Sequence, residues 1–302
     1  MIEVPADLMR RVSGRAPDAF GSGAIDGDAW LAGLPRLVES LLAEWELTVA
    51  GPARNGHSAL VLPVSRGPEQ LMLKVSWPHF EADHEHLALR HWAGRGAVRL
   101  IAARPGGHAL LLEALDPARD LSEVWIDEAC EVIGGLLARL HVPAPPTVPP
   151  FAEVAGRWLA PLRGTPATVP RRWAQRALEV FDELSYEPSL LHVDLHYGNV
   201  LAPLDARELW LAIDPHPLAG PRAFDLYPAL RNRADELGTG AALRWSVRHR
   251  LEVLCAAAGI DTHEAREWCV VHAVLNAQQF AEEGWPTLTT LNLAIAKALA
   301  EP

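Results

Sequence analysis

The stretch Leu191-His192-Val193-Asp194-Leu195-His196-Tyr197-Gly198-Asn199-Val200-Leu201 sets an aspartate, Asp194, five residues ahead of an asparagine, Asn199. That spacing suits metal-assisted phosphoryl transfer. A carboxylate at Asp194 can orient and deprotonate an attacking hydroxyl, while the Asn199 amide oxygen offers a magnesium ion a hard ligand. Such chemistry calls for a second carboxylate further on. The apolar run Leu209-Trp210-Leu211-Ala212-Ile213 leads into Asp214, at the end of what reads as a strand, where it would chelate the same ion. Two other readings stay open. Asp and Asn in loops often make turns or cap helices. His192-x-Asp194 with a distant histidine such as His272 would also imitate a two-histidine, one-carboxylate iron site, although that leaves Asn199 and Asp214 without roles.

Lysine usage adds a second anchor. Of 27 basic residues only Lys74 and Lys297 are lysines, so arginine supplies nearly every solvated positive charge. Lys74 lies in the apolar run Leu71-Met72-Leu73-Lys74-Val75-Ser76-Trp77, where a charge is costly unless paired or bound to an anion. A compact ammonium reaches between phosphates where a planar guanidinium is too broad. An edge-strand lysine pointing at water is the plain alternative. The next segment, from about Pro78 to Gly94, predicts a helix with Glu81, Glu85, Leu89 and Trp92 on one face. A carboxylate on an apolar face needs a cation, so Glu85 is the expected partner of Lys74, with Glu81 in reserve.

The order of strand lysine, helix glutamate, H-x-D-x-x-x-x-N loop, strand and Asp resembles the protein-kinase-like fold. Its details are most similar to the antibiotic-phosphotransferase branch, in the streptomycin 6-phosphotransferase and hydroxyurea phosphotransferase family. The resemblance is carried by Leu73-Lys74-Val75-Ser76-Trp77-Pro78, by the segment from Ala88 to Leu100, and by Leu111-Leu112-Glu113-Ala114-Leu115-Asp116-Pro117. It continues through Leu136-Leu137-Ala138-Arg139-Leu140-His141, the Asp194 loop, and Ile213-Asp214-Pro215-His216-Pro217 to Phe224-Asp225-Leu226. Two departures stand out: Val193 where glycine is common in the family, and His216 where lysine is common. The chain has no arginine before Asp194, no D-F-G triplet and no A-P-E segment, which points away from a protein kinase.

The resemblance implies an α+β fold with a small antiparallel-sheet lobe over about residues 1–113 and a larger, mostly helical lobe over 114–302. It implies ATP and magnesium (Mg2+) as cofactors and a cationic aminoglycoside of the streptomycin type as acceptor. Hydroxyurea or another metabolite is the alternative acceptor, and a nucleotide-binding pseudokinase the alternative activity. Asp194 is the implied catalytic residue, Asn199 and Asp214 the metal ligands, and Lys74 and Glu85 the phosphate-anchoring pair. His192 and Asp225 would brace the loop. Gly56 and His57, in the loop Gly51-Pro52-Ala53-Arg54-Asn55-Gly56-His57, and Ser58, which opens the next strand, would cover the phosphates, although an ordinary hairpin turn fits the loop equally well. Glu113 and Leu115 flank the crossing that would meet adenine. Glu282, Glu283 and Trp285 are candidates for a cationic-substrate pocket, with simple solvation of the acids as the alternative.

Length and composition fit this expectation. A chain of 302 residues with 49% hydrophobic content suffices for two cores. A net charge of −11 without any basic cluster argues against nucleic acid. Cys130, Cys255 and Cys269 are odd in number and sit in apolar helical contexts, so reduced core thiols are expected. No apolar run reaches membrane-spanning length, so a cytoplasmic protein is expected; the expected oligomeric state is a monomer. The 171–184 helix should bury Trp173, Ala177, Val180 and Leu184.

Overall fold

The computed structural model describes residues 3–23, 25–164, 169–183 and 185–300. By packing, the chain divides into two units: Met1–Asp116 with Ala202–Leu209, and Pro117–Leu201 with Trp210–Pro302.

The first unit begins with helices α1 (Ala6–Val12) and α2 (Gly27–Glu44), the latter capped by Asp26 Oδ1 accepting from Ala29 N–H at 2.8 Å. Strands β1 (Thr48–Val49), β2 (Arg54–Asn55), β3 (Ala59–Arg66) and β4 (Glu69–Ser76) follow, then helices α3 (Phe80–Asp83) and α4 (Glu85–Trp92), then β5 (Leu100–Arg104) and β6 (Ala109–Glu113). The sheet runs β1-β3-β4-β6-β5, antiparallel throughout, with β2 also on β3. One face of β3 and β4 buries Leu60, Leu62, Leu73 and Val75 with Trp30, Leu34, Val38 and Leu41 of α2, the alternation expected of a half-covered antiparallel sheet.

The single helix expected over 78–94 is instead two, broken at His84, whose φ of −113° and ψ of −3° leave the helical line. The break has a tertiary cause. Asp83, the last residue of α3, accepts from Ser22 N–H, Ser22 Oγ and His108 Nε2, each at 2.7 Å, and Asp18 Oδ2 takes the Phe80 N–H at 2.7 Å. α3 is held by the N-terminal segment, which frees α4 to set its own direction. Glu85, Leu89 and Trp92 are buried on α4, while Glu81 is left exposed on α3.

Strand β7 (Leu115–Asp120) carries the chain out of the first unit. The second unit holds α5 (Ile126–Leu140), α6 (Phe151–Leu159), α7 (Arg171–Glu183), the short strands β8 (Ser189–Leu190), β9 (Val200–Pro203, of which Val200 and Leu201 belong to this unit), β10 (Leu211–Ala212) and β11 (Ala219–Gly220), and helices α8 (Tyr227–Arg231), α9 (Ala241–Ala258), α10 (Thr262–Glu282) and α11 (Pro286–Ala300). β10 and β9 pair antiparallel, with β7 on the far side of β9, and β8 pairs β11. Trp173, Ala177 and Val180 are buried on α7, and Leu184 lies outside the described residues. Close approach of α5 and α9 depends on Gly134, where a Cβ would come within 2.6 Å of Ala257 Cβ and 2.7 Å of Leu254 O. Phe151 centres an aromatic core, with ring centroids 4.6 Å from Phe224 and 5.5 Å from Trp268. All three cysteines are buried free thiols. Among the described residues no helix is long and apolar enough to cross a membrane.

Candidate functional site

In the first unit, Lys74 sits on β4, the middle strand of the sheet, paired to Val61 on one side and Leu110 on the other. It is not on an edge, and its side chain is 11% exposed. Its Nζ lies 2.6 Å from Glu85 Oε2, a buried ion pair whose disruption strands a charge. Glu81 lies elsewhere, its Oε2 3.7 Å from His79 Nε2.

The loop after β2 carries Gly56, His57 and Ser58. Gly56 N–H donates to Ala59 O at 3.0 Å and Ser58 O accepts from Trp77 N–H at 2.8 Å, so the loop returns tightly to β3. A Cβ at Gly56 would meet nothing closer than Ala59 Cβ at 3.9 Å; the protein's own packing does not demand glycine there. Glu113 N–H donates to Arg99 O, and the Glu113 carboxylate takes the Arg99 N–H and an ion pair from Arg207. Its side chain is therefore committed within the unit. Leu115 is buried.

In the second unit the Asp194 loop is fixed from behind. Leu191 N–H donates to Leu218 O, and His216 N–H to His192 O, both at 2.9 Å. Asp225, fully buried, accepts the amide N–H of His192 at 2.7 Å and that of Val193, and meets His141 Nε2 at 3.0 Å. Burial pushes the Asp225 carboxyl up, but the His141 hydrogen bond and charge, followed by the His192 ring and amide, outweigh it and hold the pKa below the usual carboxylate value. His192 Nε2 lies 3.0 Å from Ile213 O, tying the loop to the residue before Asp214. Burial drives the His192 pKa down to about 4, so its ring is neutral at pH 7. Tyr197 anchors the far end, its hydroxyl donating to Ala229 O at 2.9 Å.

Asn199 Nδ2 donates to Asp194 O at 2.9 Å and lies 3.3 Å from Asp194 Oδ2. This turns the amide so that Oδ1 is the atom left to face a cation. Ile213 N–H, one residue before Asp214, donates to Asn199 O at 2.9 Å, so the two expected metal ligands stand on hydrogen-bonded neighbours. Asp214 adopts φ +58°, a left-handed conformation uncommon outside glycine and characteristic of functional loops. Oxygen donors of this kind suit magnesium, whereas nitrogen ligands suit iron. The histidines that an iron site would need each engage a backbone carbonyl through one ring nitrogen, His192 Nε2 on Ile213 O and His272 Nδ1 on Phe224 O, both at 3.0 Å, and among the described residues no group of three His, Cys, Asp or Glu side chains is placed to hold a metal ion.

Two groups that bear on the Asp194 loop, one directly and one through His196, carry no signal in the sequence. His196 Nε2 lies 3.7 Å from Asp194 Oδ2; burial lowers its pKa against the pull of Asp194, and the Arg231 charge lowers it further. Arg231 ends α8 with its guanidinium 5.6 Å above the Phe280 ring. A basic residue at a helix C-terminus has an ordinary dipole role, so nothing in the sequence marked it. Glu282 and Glu283 are exposed at the end of α10, accepting from Gln278 Nε2 at 2.5 Å and Gln279 Nε2 at 3.0 Å, and Trp285 is 57% exposed.

The family described as aminoglycoside/hydroxyurea antibiotic resistance kinase matches residues 44–284. A streptomycin 6-kinase of Streptomyces glaucescens is 39% identical, over 99% of this chain and 97% of its own. A hydroxyurea phosphotransferase of Kitasatospora aureofaciens is 40% identical, over 99% of this chain and 86% of its own. Among solved structures, aminoglycoside phosphotransferase APH(4)-Ia superposes with a TM-score of 0.56 at 12% identity, over 88% of this chain and all of that one. The fold is shared at an identity where sequence says little.

Proposed function

The chain belongs to the aminoglycoside/hydroxyurea antibiotic resistance kinases, and we propose that it transfers the γ-phosphoryl of ATP to a hydroxyl of a streptomycin-type aminoglycoside. The observation that carries this is the Asp194 loop: a half-buried carboxylate, with Asn199 turned by its own donor so that Oδ1 is left for a cation.

Asp194 orients the acceptor hydroxyl and receives its proton. Asp225, through the amides of His192 and Val193, holds the backbone that presents it, and neutral His192 locks that backbone to Ile213. Lys74, aligned by Glu85, anchors the nucleotide's inner phosphates as a point charge. Asn199 Oδ1 and the Asp214 carboxylate would hold magnesium, which when bound supplies positive charge to the phosphate oxygens. Gly56, His57 and Ser58 cover the phosphates, and backbone groups between Glu113 and Leu115 meet the adenine. The enzyme acts as a cytoplasmic monomer.

A second acceptor, hydroxyurea, is supported by one relative: the hydroxyurea phosphotransferase is 40% identical to this chain, against 39% for the streptomycin 6-kinase. Incubation with labelled ATP and magnesium, with streptomycin and hydroxyurea in parallel, tests the proposal: labelled streptomycin is expected. Labelled hydroxyurea alone would replace the substrate, and hydrolysis with neither would remove the transferase reading.

A further inference from the structure

α1 is only seven residues long, yet it is seated rigidly. Leu8 and Val12 are fully buried in the core of the first unit. Gly27, at the start of α2, packs so closely on Val12 O that a Cβ there would fall 1.9 Å from it; only glycine allows the approach. The turn after α1 is pinned as well. Gly27 N–H donates to Arg15 O at 3.0 Å, and Asp28 Oδ1 accepts from Ser13 Oγ at 2.7 Å and Gly14 N–H at 3.3 Å.

This framework aims two guanidinium groups at one imidazole. Arg11 Nη1 lies 3.1 Å from His57 Nδ1, and Arg15 Nη2 lies 3.3 Å from His57 Nε2. A neutral imidazole has one lone pair, so one arginine can donate to it and the other faces its N–H; a protonated ring would accept from neither. Burial first, then the two arginines, keep the His57 pKa below its ordinary value. Among the described residues neither guanidinium forms an ion pair with a carboxylate, and Arg15 rests 5.8 Å over the Trp77 ring. The imidazole offers two cations a single lone pair, and the acid whose charge bears on it, Glu81, has its carboxylate 3.7 Å from His79 Nε2.

We propose that Arg11 and Arg15 form an anion clamp that grips the triphosphate of the nucleotide at the tip of the Asn55–Ser58 loop. The inference rests on the ATP-dependent reading above and extends its phosphate site to α1, about forty residues upstream of the loop. Phosphate oxygens supply the acceptors that the imidazole lacks, and each guanidinium can engage two of them side by side. The same chemistry would take free inorganic phosphate, so both anions enter the test.

Calorimetric titration of the full chain and of its Arg11→Gln/Arg15→Gln variant with ATP, adenosine and inorganic phosphate decides the matter. The variant is expected to bind ATP at least about tenfold more weakly and adenosine unchanged, with a shallower dependence of ATP affinity on salt. Arg11→Lys/Arg15→Lys should recover part of the loss. ATP affinity equal to that of the parent, or equal weakening of ATP and adenosine, overturns the clamp; the latter would mean that the arginines only prop the loop. Phosphate binding lost in the variant with ATP binding untouched overturns the nucleotide as occupant. Should the double variant melt early, the two single variants carry the same comparison. A parent chain that binds no ATP overturns the kinase reading together with the clamp, whereas ATP turnover with an unaltered variant affinity overturns the clamp alone.

Discussion

Val193 sits in the left-handed backbone region at φ +68°, and its amide N–H is held there by Asp225. The residue that precedes Asp194 is thereby kept in a conformation that β-branched side chains avoid, at a cost of about 1–2 kcal/mol. The buried carboxylate overrules the preference because it also binds His192 and His141.

Val193→Gly should therefore stabilise the protein. The relieved strain exceeds the added chain entropy of glycine, about 0.5–1 kcal/mol, so a rise of roughly 2 °C in Tm is expected with kcat unaltered. Differential scanning calorimetry checks it. A clear fall in Tm would show that packing of the half-buried valine outweighs its backbone strain.

Asp194→Asn keeps the shape of the loop and removes the charge that receives the proton. Its amide can still face Asn199, so fold and ATP binding should persist while kcat falls by about 10²–10⁴-fold. Turnover at the parental rate would move the base elsewhere.

Lys74→Arg should fail as a conservative change. The ammonium lies 2.6 Å from Glu85 with its side chain only 11% exposed, and a planar guanidinium needs more room and a different geometry. A loss of at least about tenfold in kcat/KM for ATP, or 1.4 kcal/mol, is expected. Unchanged steady-state kinetics would refute the anchoring role.

What was legible in the sequence was mostly local. Asp194 and Asn199 are near neighbours whose spacing suffices to pair them, and Lys74 stood out because lysine is so rare here. Glu85 followed from sharing an apolar helix face. The break at His84 could not be read, since it arises from Ser22 and His108, distant residues that converge on Asp83. The convergence of Arg11 and Arg15 on His57 is equally non-local. Asp225 was placed by resemblance alone; an aspartate in an apolar run says nothing by itself about which amides it will hold.

Acid should loosen the fold before the buried Asp225 carboxylate is protonated. His192 and His272 are buried with pKa values pushed down to about 4, against 6.5 in the unfolded chain. Between those values the unfolded state binds protons that the native state refuses, so their stabilising contribution is complete above about pH 6.5 and lost as pH falls towards 4. Each tenfold difference in proton affinity between the two states corresponds to about 1.4 kcal/mol, so a loss of a few kcal/mol is expected. Asp225, with its pKa lowered from 3.8, adds a loss only below that range. Melting curves at pH 7.5, 6 and 5 should show Tm falling steadily, and His272→Gln should flatten the trend. A Tm constant from pH 7.5 to 5 would mean that these rings are protonated in the folded state.

The acceptor can be distinguished by salt. Streptomycin carries two guanidinium groups, and an enzyme with a net charge of −11 attracts it over distances that a Debye length of about 8 Å at physiological salt cuts short. Its KM should rise several-fold between low and 0.5 M salt, whereas that of neutral hydroxyurea should stay level. Glu282 and Glu283 are exposed at the end of α10, so Glu282→Gln/Glu283→Gln should leave the fold and the KM for ATP intact. If these acids form the rim that receives the cation, the same variant raises the streptomycin KM by at least about threefold, a change of roughly 0.7 kcal/mol. A streptomycin KM that ignores both salt and the double substitution would place the cation-binding groups elsewhere.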